Sequence, residues 1–468
     1  LGGGIAGCAA AAEAAAAGRS ALLVERRPVT GWELTWAHAP EFSDGSGKLY
    51  SALREKLEKC GATTDGRVDP ATATIVLDQV LADLGVEMLL YAQPLRLVVE
   101  DGQAQAAAIA TKSGQHVLRG KVFVDATENG LFWGHACDAP AVRSRFSTYM
   151  WVPDNKVERV GFGEAGPAQY IKLRPGVFSS SLELAFELDN ATIIDARLAL
   201  PDVLKKVRES GDLPAEAIVT HTAPELLPIS VARQVGSPGE AHPETSNLFG
   251  AGQWLIGYSM PEEVCAELSA WGSQAGESAA KAAASLSEPK GVPVPAQVAP
   301  PHRECDVLVA GAGTAGALAG IAAARRGKKT VLLEAGNCPG GIGTSGGIHM
   351  YYCGFSGGLQ DEVDKRCEKL TPLFAPAEKY RGFHPEAKKM ALEAMLAESG
   401  AEVRYGTMLV GAVSEEQPGL ARAGDDAIRV ISEAVAASSS GGASWKARVF
   451  IDSTGDADLA AWAGAKSI

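Results

Sequence analysis

The sequence predicts an α/β fold made of two doubly wound, Rossmann-like dinucleotide-binding units in tandem, the second incomplete. Three features predict it. A glycine fingerprint occurs twice, as GGGIAG at Gly2 to Gly7 and as GAGTAG at Gly311 to Gly316. Each copy leads through an Ala-rich stretch and a short apolar run to a glutamate, Glu25 or Glu334, at the same spacing of 23 residues (25 minus 2, 334 minus 311). Between the copies Pro289, Pro293, Pro295, Pro300 and Pro301 crowd together, a composition that suits an extended linker and no packed element.

In such a turn the first glycine (Gly2, Gly311) permits the sharp bend. The second (Gly4, Gly313) lets the backbone approach a pyrophosphate, and the third (Gly7, Gly316) packs helix against strand. CDVLVA, Cys305 to Ala310, predicts the buried strand before Gly311, and Ala317 to Arg325 a helix whose N-terminus faces the phosphates. The strand expected before Gly2 is missing and the chain opens at Leu1, so the sequence reads as a fragment. Glu25 and Glu334 stand where a carboxylate accepts hydrogen bonds from an adenosine ribose.

Two further blocks recur in the same order. DPATATIVLDQVLADLGVEMLLY (Asp69 to Tyr91) matches HPEAKKMALEAMLAESGAEVRYG (His384 to Gly406), each predicting a helix then a strand. Asp69 is the expected N-cap with Pro70 in the first turn, Leu77, Leu81 and Leu84 form an apolar stripe, and Gly85 provides a left-handed stop. KVFVDATENG (Lys121 to Gly130) matches ARVFIDSTGD (Ala447 to Asp456). The predicted organisation is a first unit over 1–286, a linker over 287–302 and a second unit over 303–468. The offset between copies grows from 309 to 327, so about 18 extra residues are expected in loops of the second unit, before Pro385 and in the Ser-Gly run at 438–444.

Composition narrows the partners. A formal net charge of -13 disfavours nucleic acid and anionic membranes, which call for a basic surface. No stretch approaches the roughly 20 apolar residues of a membrane helix. The eight cysteines are scattered without the spacing of a zinc or iron-sulfur site, so no metal is expected, and they leave the compartment open. A small-molecule substrate is the expected partner; the oligomeric state is not legible.

The paired blocks resemble the FAD-dependent oxidoreductase family, related to the glutathione-reductase group of flavoproteins. In that group an apolar strand runs into D-A/S-T-G-D beside the nucleotide. VFIDSTGDADLAAWAGA (Val449 to Ala465) follows this, which implies Thr454, Gly455 and Asp456 at the cofactor; VFVDATENG implies Thr127, with Glu128 and Asn129 departing from the pattern. The group's closing signature, a strand into G-x-G and then a helix facing the flavin pyrimidine, is similar to NLFGAGQW (Asn247 to Trp254) and Trp271 to Ala284, which implies Gly252 at the cofactor. The resemblance also places a glycine doublet after the ribose carboxylate. The second unit has Gly340 and Gly341 there, in a run of glycines to Gly358, whereas Trp32 stands at the second position in the first unit.

The resemblance implies FAD as cofactor and two-electron hydride transfer on a small organic substrate. The loop bordering the flavin offers His349, Tyr352 and Cys353, with Tyr351, as candidate acid, base or substrate residues; Trp36 and His38 are their first-unit equivalents. An inserted α+β substrate segment is expected over about 140–246, where Arg143, Arg145, Arg174 and Arg233 are candidate carboxylate clamps. Two other readings stand beside this one: an NAD(P)-dependent dehydrogenase, and a flavin electron-relay or structural unit with no catalysis of its own.

Overall fold

A computed structural model describes the protein over residues 1–468 except 44, 135–141, 154–155, 231–235, 256–263, 290–300, 352–356, 377–381, 418–427 and 466–468. The fold is α/β. Contacts divide the chain into two units: Leu1–Ala110 and Gln115–Val294 with Ser439–Gly441, and Pro295–Ser438 and Gly442–Ile468 with Thr111–Gly114. Most of the Pro-rich segment falls outside the described residues.

The first unit opens with α1 (Ile5–Ala16), β1 (Ala21–Val24), α2 (Pro70–Asp83) and β2 (Val86–Leu89), with β1 and β2 parallel. The Asp69 carboxylate accepts the Thr72 N–H at 2.8 Å and Pro70 fills the first turn, which fixes where α2 begins. Gly85 ends it at φ +80°. A meander follows, β3 (Gln93–Glu100), β4 (Gln103–Thr111) and β5 (Gly114–Arg119), leading to β6 (Phe123–Asp125). Leu1 lies between β1 and β6: the Ala126 N–H donates to the Leu1 carbonyl and the Gly2 N–H to the Val24 carbonyl, both at 2.9 Å.

Residues 143–230 include strands Val160–Ala165, Ala168–Pro175, Ser181–Asp189, Arg143–Trp151 and Ile218–Thr222, hydrogen-bonded in that order. Helix Ile193–Glu209 belongs to the same segment and starts at a Thr192/Asp195 capping box. The chain then returns through β7 (Thr245–Gly250), parallel to β6, into α3 (Val264–Ser285). The sequence placed the start of this helix near Trp271; the helix already runs at Val264, so Trp271 is interior to it. Gly272 and Gly276 let α3 press on α1, since a Cβ at either would lie 2.1 Å from the Ala6 carbonyl oxygen or 2.4 Å from that of Ala10. Gly272→Ala is therefore expected to destabilise the first unit by about 1–3 kcal/mol through overpacking. An unchanged urea unfolding curve would contradict that contact.

The second unit contains β8 (His302–Ala310), α4 (Thr314–Ala324), β9 (Thr330–Leu333), α5 (Pro385–Ser399), β10 (Glu402–Arg404), β11 (Met408–Glu416), β12 (Arg429–Ser438) and β13 (Gly441–Asp452). Its sheet has the order β10-β9-β8-β13-β12-β11, and the first four strands run parallel. Alternation along β8 builds two cores. Val307 and Val309 pack with Ile321, Leu392 and Leu396 from the helices, while Leu308 and Ala310 pack with Leu409 and Trp445 on the other face. Burial on both faces explains the unbroken apolar run in the sequence.

The Ser-Gly run was expected to absorb inserted length and does not. The turn from β12 to β13 spans Ser439–Ser440, as tight as Lys112–Ser113 between β4 and β5. About ten of the 18 extra residues (12 minus 2) fall between β11 and β12, over 417–428, where the first unit has only Asp101–Gly102. A hairpin whose two strands stay paired to the tip leaves no room for slack, whereas the neighbouring connection can lengthen at small closure cost.

Candidate functional site

In the second unit the chain leaves β8 at Gly311, whose φ of +88° and 2.5 Å approach of a Cβ to the Ser453 carbonyl oxygen both require glycine. Gly316 is just as constrained, its Cβ position 1.9 Å from the Gly311 carbonyl oxygen. Gly313 differs: among the described residues, a Cβ there meets no atom within 4 Å. The first N–H groups of a helix have no partner within it, no side chain caps α4, and its first residues, Thr314 and Ala315, are exposed. Donors and dipole there suit an anion.

Around this helix start the candidate residues converge. Glu334 accepts the Ala312 and Gly336 N–H groups, each at 2.7 Å, and is half-buried. The Gly340 N–H donates to the Ala312 carbonyl at 2.8 Å, and a Cβ on Gly341 would lie 3.1 Å from the Gly313 Cα, so the doublet lies against the fingerprint. Asp452 accepts from the Thr454 N–H at 3.1 Å and its hydroxyl at 2.7 Å. Gly455 and Asp456 are exposed beyond it, and a Cβ on Gly455 also meets nothing within 4 Å. A cradle of glycines with open space before it, an anion-seeking helix start and a carboxylate at ribose distance along the chain fit FAD.

The first unit repeats these bonds residue by residue. Glu25 accepts from the N–H groups of Gly3 at 2.6 Å and Arg27 at 2.8 Å. Asp125 accepts from the Thr127 N–H at 3.0 Å and hydroxyl at 2.6 Å, and the Gly31 N–H donates to Gly3 at 2.6 Å. A Cβ on Gly2 would lie 2.4 Å from the Ala126 carbonyl oxygen and one on Gly7 1.9 Å from that of Gly2, as at their counterparts.

What fills the cradle is different. The Glu33 carboxylate accepts the Ile5 N–H at 2.9 Å, and a Cβ on Gly4 would come within 2.4 Å of Glu33 Oε1. The Arg27 guanidinium bridges Glu25, Glu128 and Glu225 and lies 4.4 Å over the Trp32 ring. Burial pushes the Glu128 carboxyl up, but Arg26 and Arg27 beside it hold it down at about 2. Gly252, expected at the cofactor, is covered instead: its Cβ position is 2.1 Å from Nε1 of Trp254, which donates to the Thr127 carbonyl at 2.8 Å. These side chains do not fit FAD.

Among the catalytic candidates, Tyr352 and Cys353 lie outside the described residues. His349 is exposed and its carbonyl accepts the Phe383 N–H at 3.0 Å. Tyr351 receives hydrogen bonds at 2.8 Å from both Gln360 and Lys388. Lys388 is the residue sequence reasoning missed. It is 2% exposed, its Nζ lies 4.3 Å from the Phe383 ring and 2.5 Å from a Cβ position on Gly343, and burial pushes its pKa down. The signal was available: at the matching position of the first unit stands buried Ala73 (388 minus 315).

In the first unit His38 is buried at φ 53°, edge-on to Tyr149 and His221 at 5.3 and 5.1 Å, while Trp36 is half-buried. Three of the candidate clamps are engaged by the protein itself. Arg145 pairs with Glu41 at 2.9 Å, and Arg174 pairs with Glu41 and Glu183 at 2.7 Å each. Arg143 pairs with Asp189 at 2.8 Å, and Arg233 lies outside the described residues. Among the described residues there is no cluster of three metal-ligating side chains, and no helix is long and apolar enough to cross a membrane.

A family model described as FAD dependent oxidoreductase matches residues 1–141 and 306–467. No curated protein matches the chain. Among solved structures, the chain is similar to a geranylgeranyl bacteriochlorophyll reductase-like protein from Thermoplasma acidophilum, at 16% identity and a TM-score of 0.44, over 60% of this chain and 77% of that one. It is also similar to the flavin-dependent brominase Bmp2, at 13% identity and a TM-score of 0.43, over 61% of this chain and 78% of that one.

Proposed function

The chain belongs to the FAD dependent oxidoreductase family, whose members are FAD-using enzymes, and we propose that its second unit holds the cofactor for two-electron hydride transfer on a small organic substrate. The observation that carries this is the open start of α4, framed by Gly313, Gly341 and Glu334, where among the described residues no atom comes within 4 Å of a Cβ position on Gly313. In this reading the free N–H groups of α4 receive the pyrophosphate, Glu334 the adenosine ribose, and Thr454, Gly455 and Asp456 border the flavin side. Bound there, FAD supplies a two-electron acceptor reacting at N5.

The chain's own contribution lies in positioning and in protons. Tyr351, held by Lys388 and Gln360, and His349 belong to the loop that the family places beside the ring, with Tyr352 and Cys353 next in sequence. A lysine kept in apolar surroundings gives up its proton more readily than one in water. Lys388 therefore suits a proton store behind Tyr351. The shared hydrogen bonds of the two units, and the two segments matched by the family model, support reading them as tandem copies of one fold.

Purified full-length protein is expected to be yellow and to release FAD, not FMN or NADP, on denaturation. A colourless preparation that takes up no added FAD would overturn this reading.

A further inference from the structure

We propose that the nucleotide cradle of the first unit is closed by its own side chains, with Glu33 seated where a pyrophosphate would lie, so that the chain carries one FAD and carries it in the second unit. The inference rests on the reading of the second unit given above. Matching the copies position by position shows how the closure arises. Gly336, Gly341 and Gly455 of the second unit correspond to Arg27, Trp32 and Glu128 (each offset by 309, 309 and 327), and Ile342 corresponds to Glu33. Three glycines of the second cradle are thus replaced by side chains in the first, beside Glu33 in place of Ile342.

The replacements act together. Glu33 accepts the Ile5 N–H at the head of α1, and its carboxylate stands 2.4 Å from a Cβ position on Gly4, in the space a ligand phosphate needs. Ile342, its counterpart, is 69% exposed, against 5% for Glu33. Glu25 Oε1 accepts from Arg27 twice, at 2.8 Å from the backbone and 3.1 Å from the guanidinium, while Oε2 accepts the Gly3 N–H at 2.6 Å; the guanidinium bond, which Gly336 cannot offer Glu334, occupies the ribose-binding carboxylate. Glu25 is 1% exposed, whereas Glu334 is half-buried. The cavity left among Gly2, Gly4, Glu25, Arg27, Trp32 and Thr127 is about 20 Å³. That is room for about one water, against roughly 300–1,000 Å³ for a ligand site.

The test counts flavin and probes the closed cradle with the second one disabled. Full-length protein, saturated with FAD and desalted, is expected to release one FAD per chain. Calorimetry on Gly313→Val is expected to show no uptake of FAD. Two FAD per chain, or one FAD bound by Gly313→Val and lost when Gly4→Val is added, would overturn the inference while leaving FAD use intact. No FAD on the wild type together with none on Gly313→Val would instead overturn the reading of the second unit and leave the closure standing. The role of Glu33 is tested with inorganic pyrophosphate: Gly313→Val/Glu33→Gly should bind it at least about tenfold more tightly than Gly313→Val alone. Equal affinities, with both variants giving wild-type circular dichroism, would remove Glu33 from the seat.

Discussion

Gly313→Val is expected to abolish flavin binding while the second unit stays folded. Gly313 adopts φ -63° and ψ -164°, extended backbone open to any residue, and among the described residues its Cβ position meets no atom within 4 Å. The added side chain therefore collides only with what binds at the head of α4. As the N-cap of that helix, valine is worse than glycine, and about 1 kcal/mol of stability is expected to go with the change. The loss in binding is larger: a branched side chain in the phosphate seat should weaken FAD by at least about a hundredfold, equivalent to about 2.7 kcal/mol. Released flavin per chain and urea unfolding, measured on the same preparation, separate the two effects. Full flavin retention would show that the pyrophosphate does not sit there. Gly316→Val provides the contrast, since its Cβ would lie 1.9 Å from a backbone carbonyl and the loop itself must break.

The contrast between Gly313 and Gly316 also marks what the sequence could and could not say. Spacing alone assigned the three glycines their places, because a tight turn, a close approach and a helix-strand contact each exclude a side chain for a local reason. The same holds for Asp69, Pro70 and Gly85, whose effects reach no further than one helical turn. The state of the cradle was not legible in this way. Trp32 and Glu128 were visible as departures, yet whether they cover a ligand or replace it depends on Arg27, Glu33 and Glu225, which come from distant parts of the chain. Glu225 lies in the inserted segment, so no local pattern links it to Arg27. Gly252 fails for a similar reason: the closing signature is intact in sequence, but Trp254 two residues on folds back onto Thr127. Lys388 was hidden because a charged residue at a helix position is normally read as solvated, and only comparison with Ala73 reveals that this face is buried.

Between pH 5 and pH 8 the first unit is expected to lose stability through Glu33, and Glu33→Gln to remove most of that loss. Burial pushes the Glu33 carboxyl from an ordinary 4.5 up to about 7; the Ile5 N–H and Arg27 pull the other way and are outweighed, and Glu25 adds repulsion. From α1 and α3 the neighbouring thiols of Cys8 and Cys265, themselves raised by burial, stay neutral over this range and do not compensate. A folded-state pKa above the unfolded value means that the folded chain holds the proton more tightly. The group's contribution is therefore fully present below about 4.5 and is lost as pH rises through about 7. The shift corresponds to about 3 kcal/mol. Glutamine keeps the shape and can still accept from the Ile5 N–H, but it has no charge to desolvate. Other titrating groups are common to both proteins and cancel in the difference between them. Urea unfolding of the two full-length proteins should thus show Glu33→Gln gaining about 2.5 kcal/mol on the wild type between pH 5 and pH 8. A difference that does not change with pH would mean that the carboxylate reaches solvent, which the closed cradle does not allow.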